Sequence, residues 1–242
     1  MSGHSKWANI KHKKEAKDAQ RSNVFSKMSR LLATAVQEGG GIADPEKNFK
    51  LRLAVDRAKA ANMPKDTIQR AIDKASGAGA EQMKEMVYEG FGPGGSALMI
   101  SAITDNGNRT FSEIRQIVDK AGGKIAGKGA VSHLFTKCGV IELDKSKVTE
   151  QQAFELFDKL EGIDLEDGDE TYIVFVPFDA IGRVKEVLGT VAAGVDPKAL
   201  DVYYLPSSPI DVDSSTLDKI ERLADNLEDH DDVQNVYTNV EG

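Results

Sequence analysis

The sequence predicts an α+β protein of three domains, an N-terminal helical bundle and two small α/β (ferredoxin-like) domains, the last inserted into the middle one. Three observations predict it. Up to Ser76 apolar residues recur at three- and four-residue spacing, the helical period. From Val87 onward short alternating or apolar runs take over, separated by helical stretches. Residues 130–206 then read β-α-β-β-α-β, the order of a ferredoxin-like unit. The segment before that unit has two strands and one helix, and the segment after it has one of each. Neither can bury its apolar face alone, so the two are expected to form one layer. The predicted boundaries are 1–78 for a basic arm and helical domain, 79–129 with 207–242 for a discontinuous middle domain, and 130–206 for the inserted domain.

Ser2 to Gln20 carries too little apolar surface to pack well and reads as an arm, extended or helical only when bound. Val24, Phe25, Met28, Leu31, Leu32, Ala35 and Val36 form a helical stripe, with Ser22 as its N-cap and Gly39-Gly40-Gly41 as its end. A second helix is expected with Asp44 as N-cap and Pro45 in its first turn, and a third opens at Pro64 and stops at Gly77. Strands follow at Val87–Phe91 and Ala97–Thr104, joined by the GFGPGG turn, and then a helix from about Thr110 to Ala121. Ala130–Phe135 and Val140–Leu143 read as a strand pair around Cys138-Gly139. Beyond them come a helix at Glu150–Leu160, strands at Ile163–Leu165 and Tyr172–Val176, a helix at Phe178–Val191 and a strand at Leu200–Leu205. A helix at Leu217–Leu227 and a strand at Val233–Thr238 complete the chain.

With 40% apolar and 29% charged residues, the chain has the composition of an ordinary globular protein. No apolar run approaches the ~18 residues of a membrane span, and no secretory signal opens the chain. The one cysteine, Cys138, cannot form an intramolecular disulfide, so a reducing compartment, the cytoplasm, is expected.

Charge is distributed very unevenly. The net charge is −8, yet the first thirty residues hold eight Lys/Arg against only Glu15 and Asp18. The acidic extreme lies near the other end, in LEDHDD at Leu227 to Asp232. A chain already charged enough for solubility has no such need to gather its cations at one end, so the arrangement points to a polyanion-binding surface. The candidate nucleic-acid-binding residues are Lys6, Trp7, Lys11, His12, Lys13, Lys14, Lys17, Arg21, Lys27 and Arg30. Lys and Arg neutralise phosphates irrespective of sequence, and an aromatic ring such as Trp7 can stack on an exposed base or anchor the arm against the bundle. No base-reading recognition helix stands out.

Motifs for catalysis fail on inspection. Gly90, Gly92 and Gly95 satisfy G-x-G-x-x-G, but they lead into a strand rather than a helix, so no dinucleotide fingerprint is present. GGKIAGKG at Gly122–Gly129 approaches a P-loop, but Gly129 replaces the hydroxyl residue and no strand precedes it; it reads as a flexible basic loop. The four histidines show no metal-ligand spacing, and Ser132-His133 is not a triad. No enzyme, cofactor, metal or small-molecule substrate is expected. TDNGNRT at Thr104–Thr110 stands between a strand end and a helix start. It either holds a phosphate through Arg109 and amides or is a loop built by Asn/Gly turn chemistry with Asn108 as cap. Asn106, Asn108, Arg109, Lys124 and Lys128 form a possible second contact.

Four separated blocks, MSGHSKWANIKHKK at the start, YEGFGPGG at Tyr88–Gly95, DNGNRT at Asp105–Thr110 and LEDHDDVQNVYTN at Leu227–Asn239, together resemble the YebC/PmpR family. The likeness runs nearly end to end. It implies a helical domain and two α/β domains with the last inserted into the middle one. It also implies a DNA-binding transcriptional regulator of the cytoplasm, while mitochondrial relatives and some bacterial members are linked to translation on the ribosome. The partner expected is therefore nucleic acid, either DNA or rRNA on the ribosome, with no membrane.

Overall fold

The computed structural model describes residues 21–77 and 82–240, side chains from Asn23 onward. Seven α-helices and eight strands appear in the order α1 Arg21–Glu38, α2 Phe49–Ala60, α3 Lys65–Ser76, β1 Lys84–Phe91, β2 Ala97–Thr104, α4 Gly107–Lys120, β3 Lys124–Ala126, β4 Phe135–Asp144, α5 Glu150–Lys159, β5 Asp164–Asp167, β6 Thr171–Pro177, α6 Val184–Val191, β7 Ala199–Pro206, α7 Ser214–Glu228 and β8 Val233–Thr238. The fold is α+β, with two four-stranded sheets ordered β3-β1-β2-β8 and β5-β6-β4-β7. No described helix is long and apolar enough to cross a membrane.

The chain forms two compact units. One is Lys137–Tyr203; the other holds the described residues before and after it. In the Lys137–Tyr203 unit β4 pairs antiparallel with β6, and β6 with β5, which places the crossover helices α5 and α6 as a split β-α-β pair requires. Ile141, Leu143, Leu156, Leu160, Val174, Val184 and Leu188 fill its core.

In the other unit Leu32, Val36, Leu51, Ala58, Ile68 and Ile72 build the core of a three-helix bundle. The sheet there is antiparallel, and β8 joins it beside β2 from the far end of the chain. Ile114 and Val118 of α4 and Leu223 and Leu227 of α7 pack with Leu98 and Ile100 of β2. Burying each such side chain contributes about 1.5–3 kcal/mol.

Local chemistry moves several boundaries from their predicted places. The second helix starts at Phe49 with Asn48 as its N-cap, not at Asp44. Asn48 serves both ends of the turn. Its Oδ1 accepts from Leu51 N–H at 3.1 Å, and its Nδ2 donates to the Ala35 and Ile42 carbonyls at 2.8 and 3.0 Å. Asp44 instead accepts from Glu46 N–H in the preceding turn. Gly39 makes room, because a Cβ there would meet Asn48 Nδ2 at 2.0 Å. α4 likewise begins at Gly107 and is capped by Asn106, whose side chain accepts from Arg109 N–H, so Asn108 lies inside the helix.

The expected strand pair at Ala130–Leu143 is a 3-10 turn at Ser132–Leu134 followed by one continuous strand, β4. Gly139 carries the strand past Ile181, whose Cγ1 would lie 2.5 Å from a Cβ. The basic loop GGKIAGKG contains a strand: Lys124–Ala126 adds to the edge of β1. The helix expected at Phe178–Val191 is a 3-10 segment to Arg183 followed by α6.

Candidate nucleic-acid interface

The residues expected to hold nucleic acid fall into three groups. Lys6, Trp7, Lys11, His12, Lys13, Lys14 and Lys17, together with the Arg21 side chain, lie outside the described residues.

The second group, Lys27 and Arg30, turns inward. Asn23, Lys27 and Arg30 share one face of α1 and meet the chain just after α7. Asn23 Nδ2 donates to the Asp229 carbonyl at 2.9 Å, Lys27 Nζ to the Glu228 carbonyl, and Arg30 to the Asp231 carbonyl. The last carbonyls of α7 form the negative end of its dipole, which a buried lysine complements. Lys27 is only 9% exposed. These cations serve the fold.

Asp232 is the centre of this junction and is 2% exposed. Its carboxylate accepts from Thr110 Oγ1 at 2.6 Å, pairs with Arg109 at 3.1 Å and with Arg30 at 3.0 Å. Burial would push its pKa up, but the Thr110 and Arg109 hydrogen bonds and the two guanidinium charges hold it below the usual carboxylate range. Its backbone N–H donates to His230 Nδ1 at 3.0 Å. That bond makes Nδ1 an acceptor and assigns the ring proton to Nε2, which faces Glu113 at 2.8 Å. Glu113, His230 and Asp232 place possible ligand atoms within 4.8 Å of one another. Two guanidinium groups already balance the Asp232 carboxylate, so the cluster fits an ion-pair network better than a metal centre.

The third group, the possible second contact, divides in two. Asn106 is a helix cap, Asn108 is exposed on the first turn of α4, and Arg109 bridges Asp105 at 2.8 Å and Asp232. Lys124 and Lys128 lie beyond the other end of α4, roughly 16 Å of helix rise away. Both are exposed, Lys124 at the start of β3 and Lys128 on the loop that follows, which is pinned from beneath. Glu89, 5% exposed, accepts from the backbone N–H groups of Gly129, Val131 and Ser132 at 2.7, 2.8 and 2.9 Å. Burial would raise the Glu89 pKa, and these amides more than reverse it.

α3 adds cations that the reading of the arm overlooked. Lys65, Arg70 and Lys74 are exposed on it while Ile68, Ile72 and Ala75 face the bundle core. Their places between the apolar positions of the helical stripe were the available signal. Cys138 is buried, with Sγ 3.6 Å from the Tyr203 carbonyl.

Family models match over nearly the whole described chain. The model of the TACO1/YebC protein N-terminal domain covers residues 5–78, and that of the TACO1/YebC second and third domain covers 83–240. A Lactiplantibacillus plantarum protein named "Probable transcriptional regulatory protein" is 43% identical over 239 residues, spanning 98% of this chain and 97% of its own. A Haemophilus influenzae protein of the same name is 44% identical over 245 residues, spanning 100% and 96%. A crystal structure of a conserved hypothetical protein from Aquifex aeolicus superposes with a TM-score of 0.83 at 39% identity, covering 93% of each chain.

Proposed function

The chain belongs to the TACO1/YebC family, and from that premise we propose that it is a DNA-binding transcriptional regulator of the cytoplasm, with no catalytic step of its own. The bacterial relatives bear the name of transcriptional regulators. The observation that carries the reading to nucleic acid is the charge: eight cations in the first thirty residues of a chain whose net charge is −8. Lys6, Lys11, Lys13, Lys14 and Lys17 grip phosphates without reading sequence, and Trp7 stacks or anchors. Lys27 and Arg30 leave this set, because the fold uses them. Lys65, Arg70 and Lys74 of α3 extend it. The reading carries a division into 1–78, 79–129 with 207–242, and 130–206.

One observation favours a second reading, a ribosome-associated translation factor on rRNA. α1 is the longest described helix, and its Asn23–Lys27–Arg30 face is spent on the junction with Asp229–Asp232 rather than offered to a DNA groove. Recognition by phosphate and shape suits RNA as well as DNA.

In-cell UV cross-linking of the tagged protein, with both recovered DNA and recovered RNA sequenced, separates the two. Enrichment at promoter DNA supports the regulator, and a dominant footprint on ribosomal RNA replaces it with the translation factor. In vitro, changing Lys11, Lys13, Lys14 and Lys17 to Ala lowers the slope of log affinity against log salt by about 3. An unchanged slope sinks the arm as the phosphate grip.

A further inference from the structure

The two glycine-rich stretches that fail as nucleotide-binding motifs meet in space. β1 ends in Gly90-Phe91 with Gly92 directly after it, and β3 begins directly after Gly122-Gly123. In the antiparallel register Phe91 is paired with Lys124 and Glu89 with Ala126. Directly paired residues place their side chains on the same face of a sheet, about 5 Å apart. Phe91 therefore stands beside Lys124 on the face opposite Tyr88, which packs in the core shared with α4 and α7.

Phe91 is 40% exposed. On its own face the ring has the small Ala97 of β2 as its directly paired neighbour on one side and Lys124 on the other. Gly90 and Gly123 are required by closeness of backbone. A Cβ on Gly123 would meet the Phe91 carbonyl oxygen at 2.5 Å, and one on Gly90 would meet the Lys124 carbonyl oxygen at 2.8 Å. The result is an exposed aromatic residue where β1 and β3 come together.

Exposed cations stand at this corner. Lys120, Lys124 and Lys128 are all exposed. Asp119, the nearest acid along α4, is paired with Arg115 at 3.4 Å. Glu89 is buried, and its carboxylate is met by three backbone N–H groups of the loop that carries Lys128. That loop holds its shape from below and offers its lysine above.

We propose that this β1–β3 corner is a stacking platform for single-stranded nucleic acid, with Phe91 as the ring on which a base lies and Lys124 and Lys128 as contacts to the flanking phosphates. An exposed ring in a sheet, flanked by unburied lysines, is the combination that single-strand binders use, because every base has a π-face and every nucleotide a phosphate. A duplex keeps its bases stacked on one another and offers none to such a ring. The proposal rests on the reading of the chain as a nucleic-acid-binding protein and adds a site and a strandedness to it.

The test uses the full chain with a mixed-sequence single strand of roughly a dozen nucleotides, as RNA and as DNA, and with the matching duplex. Phe91→Ala weakens single-strand binding roughly 5- to 150-fold and leaves duplex binding unchanged, while Phe91→Trp restores it. The Lys124→Glu, Lys128→Glu double variant changes only exposed positions, keeps the fold, and gives the same selective loss. It decides the matter if Phe91→Ala proves unstable. The arm variant with Lys11, Lys13, Lys14 and Lys17 changed to Ala runs alongside. If the corner variants bind the single strand as the unmodified protein does while the arm variant loses both ligands, the platform is wrong and the arm reading stands. If the unmodified protein binds no oligonucleotide, both fall.

Discussion

Arg30 of α1 and Asp232, just before β8, stand 3.0 Å apart as an ion pair between residues from opposite ends of the chain. Arg109 meets the same carboxylate, so two of the blocks that carry the family resemblance, DNGNRT and LEDHDDVQNVYTN, meet at one buried acid. Their unusual polarity is explained by this junction. They hold the helical bundle's first helix to the end of α7 and the start of β8.

Removing the acid should therefore cost more than removing any one partner. Asp232→Ala leaves Arg30, Arg109 and Thr110 without their shared acceptor and destabilises folding by about 3 kcal/mol. Arg109→Ala costs less, because Arg109 is 43% exposed and Arg30 remains in place. Urea unfolding of the two variants measures both. Equal losses would show that the junction does not centre on Asp232.

Asp232 and Glu89 also set a pH dependence. Both carboxyls are held below their ordinary range in the fold, Asp232 by Thr110 and the two arginines against the effect of burial, Glu89 by three amides against the same effect. A depressed folded-state value means that the group contributes stability above its unfolded value. That contribution is lost as pH falls through the folded value. Unfolding free energy should thus fall from about pH 4 downward. Glu89→Gln should flatten part of that decline. It should also speed hydrogen exchange at Gly129, Val131 and Ser132, which NMR can follow.

Lys27 and the arm lysines should behave in opposite ways. Lys27→Met removes the donor to the Glu228 carbonyl, so stability falls by roughly 1–3 kcal/mol while nucleic-acid affinity at fixed salt stays within about twofold. Changing Lys11, Lys13, Lys14 and Lys17 to Ala does the reverse. Paired melting and binding curves check the contrast. A Lys27 variant that melts normally but binds poorly would return this residue to the interface.

Gly123→Ala tests the closeness of β1 and β3. Its Cβ would meet backbone, the Phe91 carbonyl oxygen at 2.5 Å, which cannot swing away as a side chain can. A loss of about 1–3 kcal/mol is expected, with faster hydrogen exchange confined to β3. Gly127→Ala serves as the control, since nothing lies within 4 Å of a Cβ there.

Much of the fold is legible from local pattern. β2 at Ala97–Thr104 and β8 at Val233–Thr238 occur where alternation and apolar runs place them, and α1 ends at the Gly39–Gly41 run. The errors arise where a side chain has more than one possible partner. Asp44 and Asn48 both have cap chemistry, and Asn48 wins because only its amide can also satisfy the Ala35 and Ile42 carbonyls. β3 is three residues long, too short for any periodicity, and exists because β1 offers a free edge.

The sequence by itself determined most of the helix and strand order, the α+β class, the concentration of cations in the first thirty residues and the mismatch of both glycine-rich stretches with nucleotide-binding motifs. These follow from spacing and composition, which act over a few neighbouring residues. Only the tertiary structure decided which charges face outward. Lys27 and Arg30 look like their neighbours in the sequence, yet the fold pairs them with carbonyls and a carboxylate some two hundred residues away. Phe91 closes the strand expected at Val87–Phe91, and the fold leaves it exposed beside Lys124. The physical reason is the same in both cases. Burial and pairing depend on what long-range folding brings to within a few ångströms, and no local pattern encodes that distance.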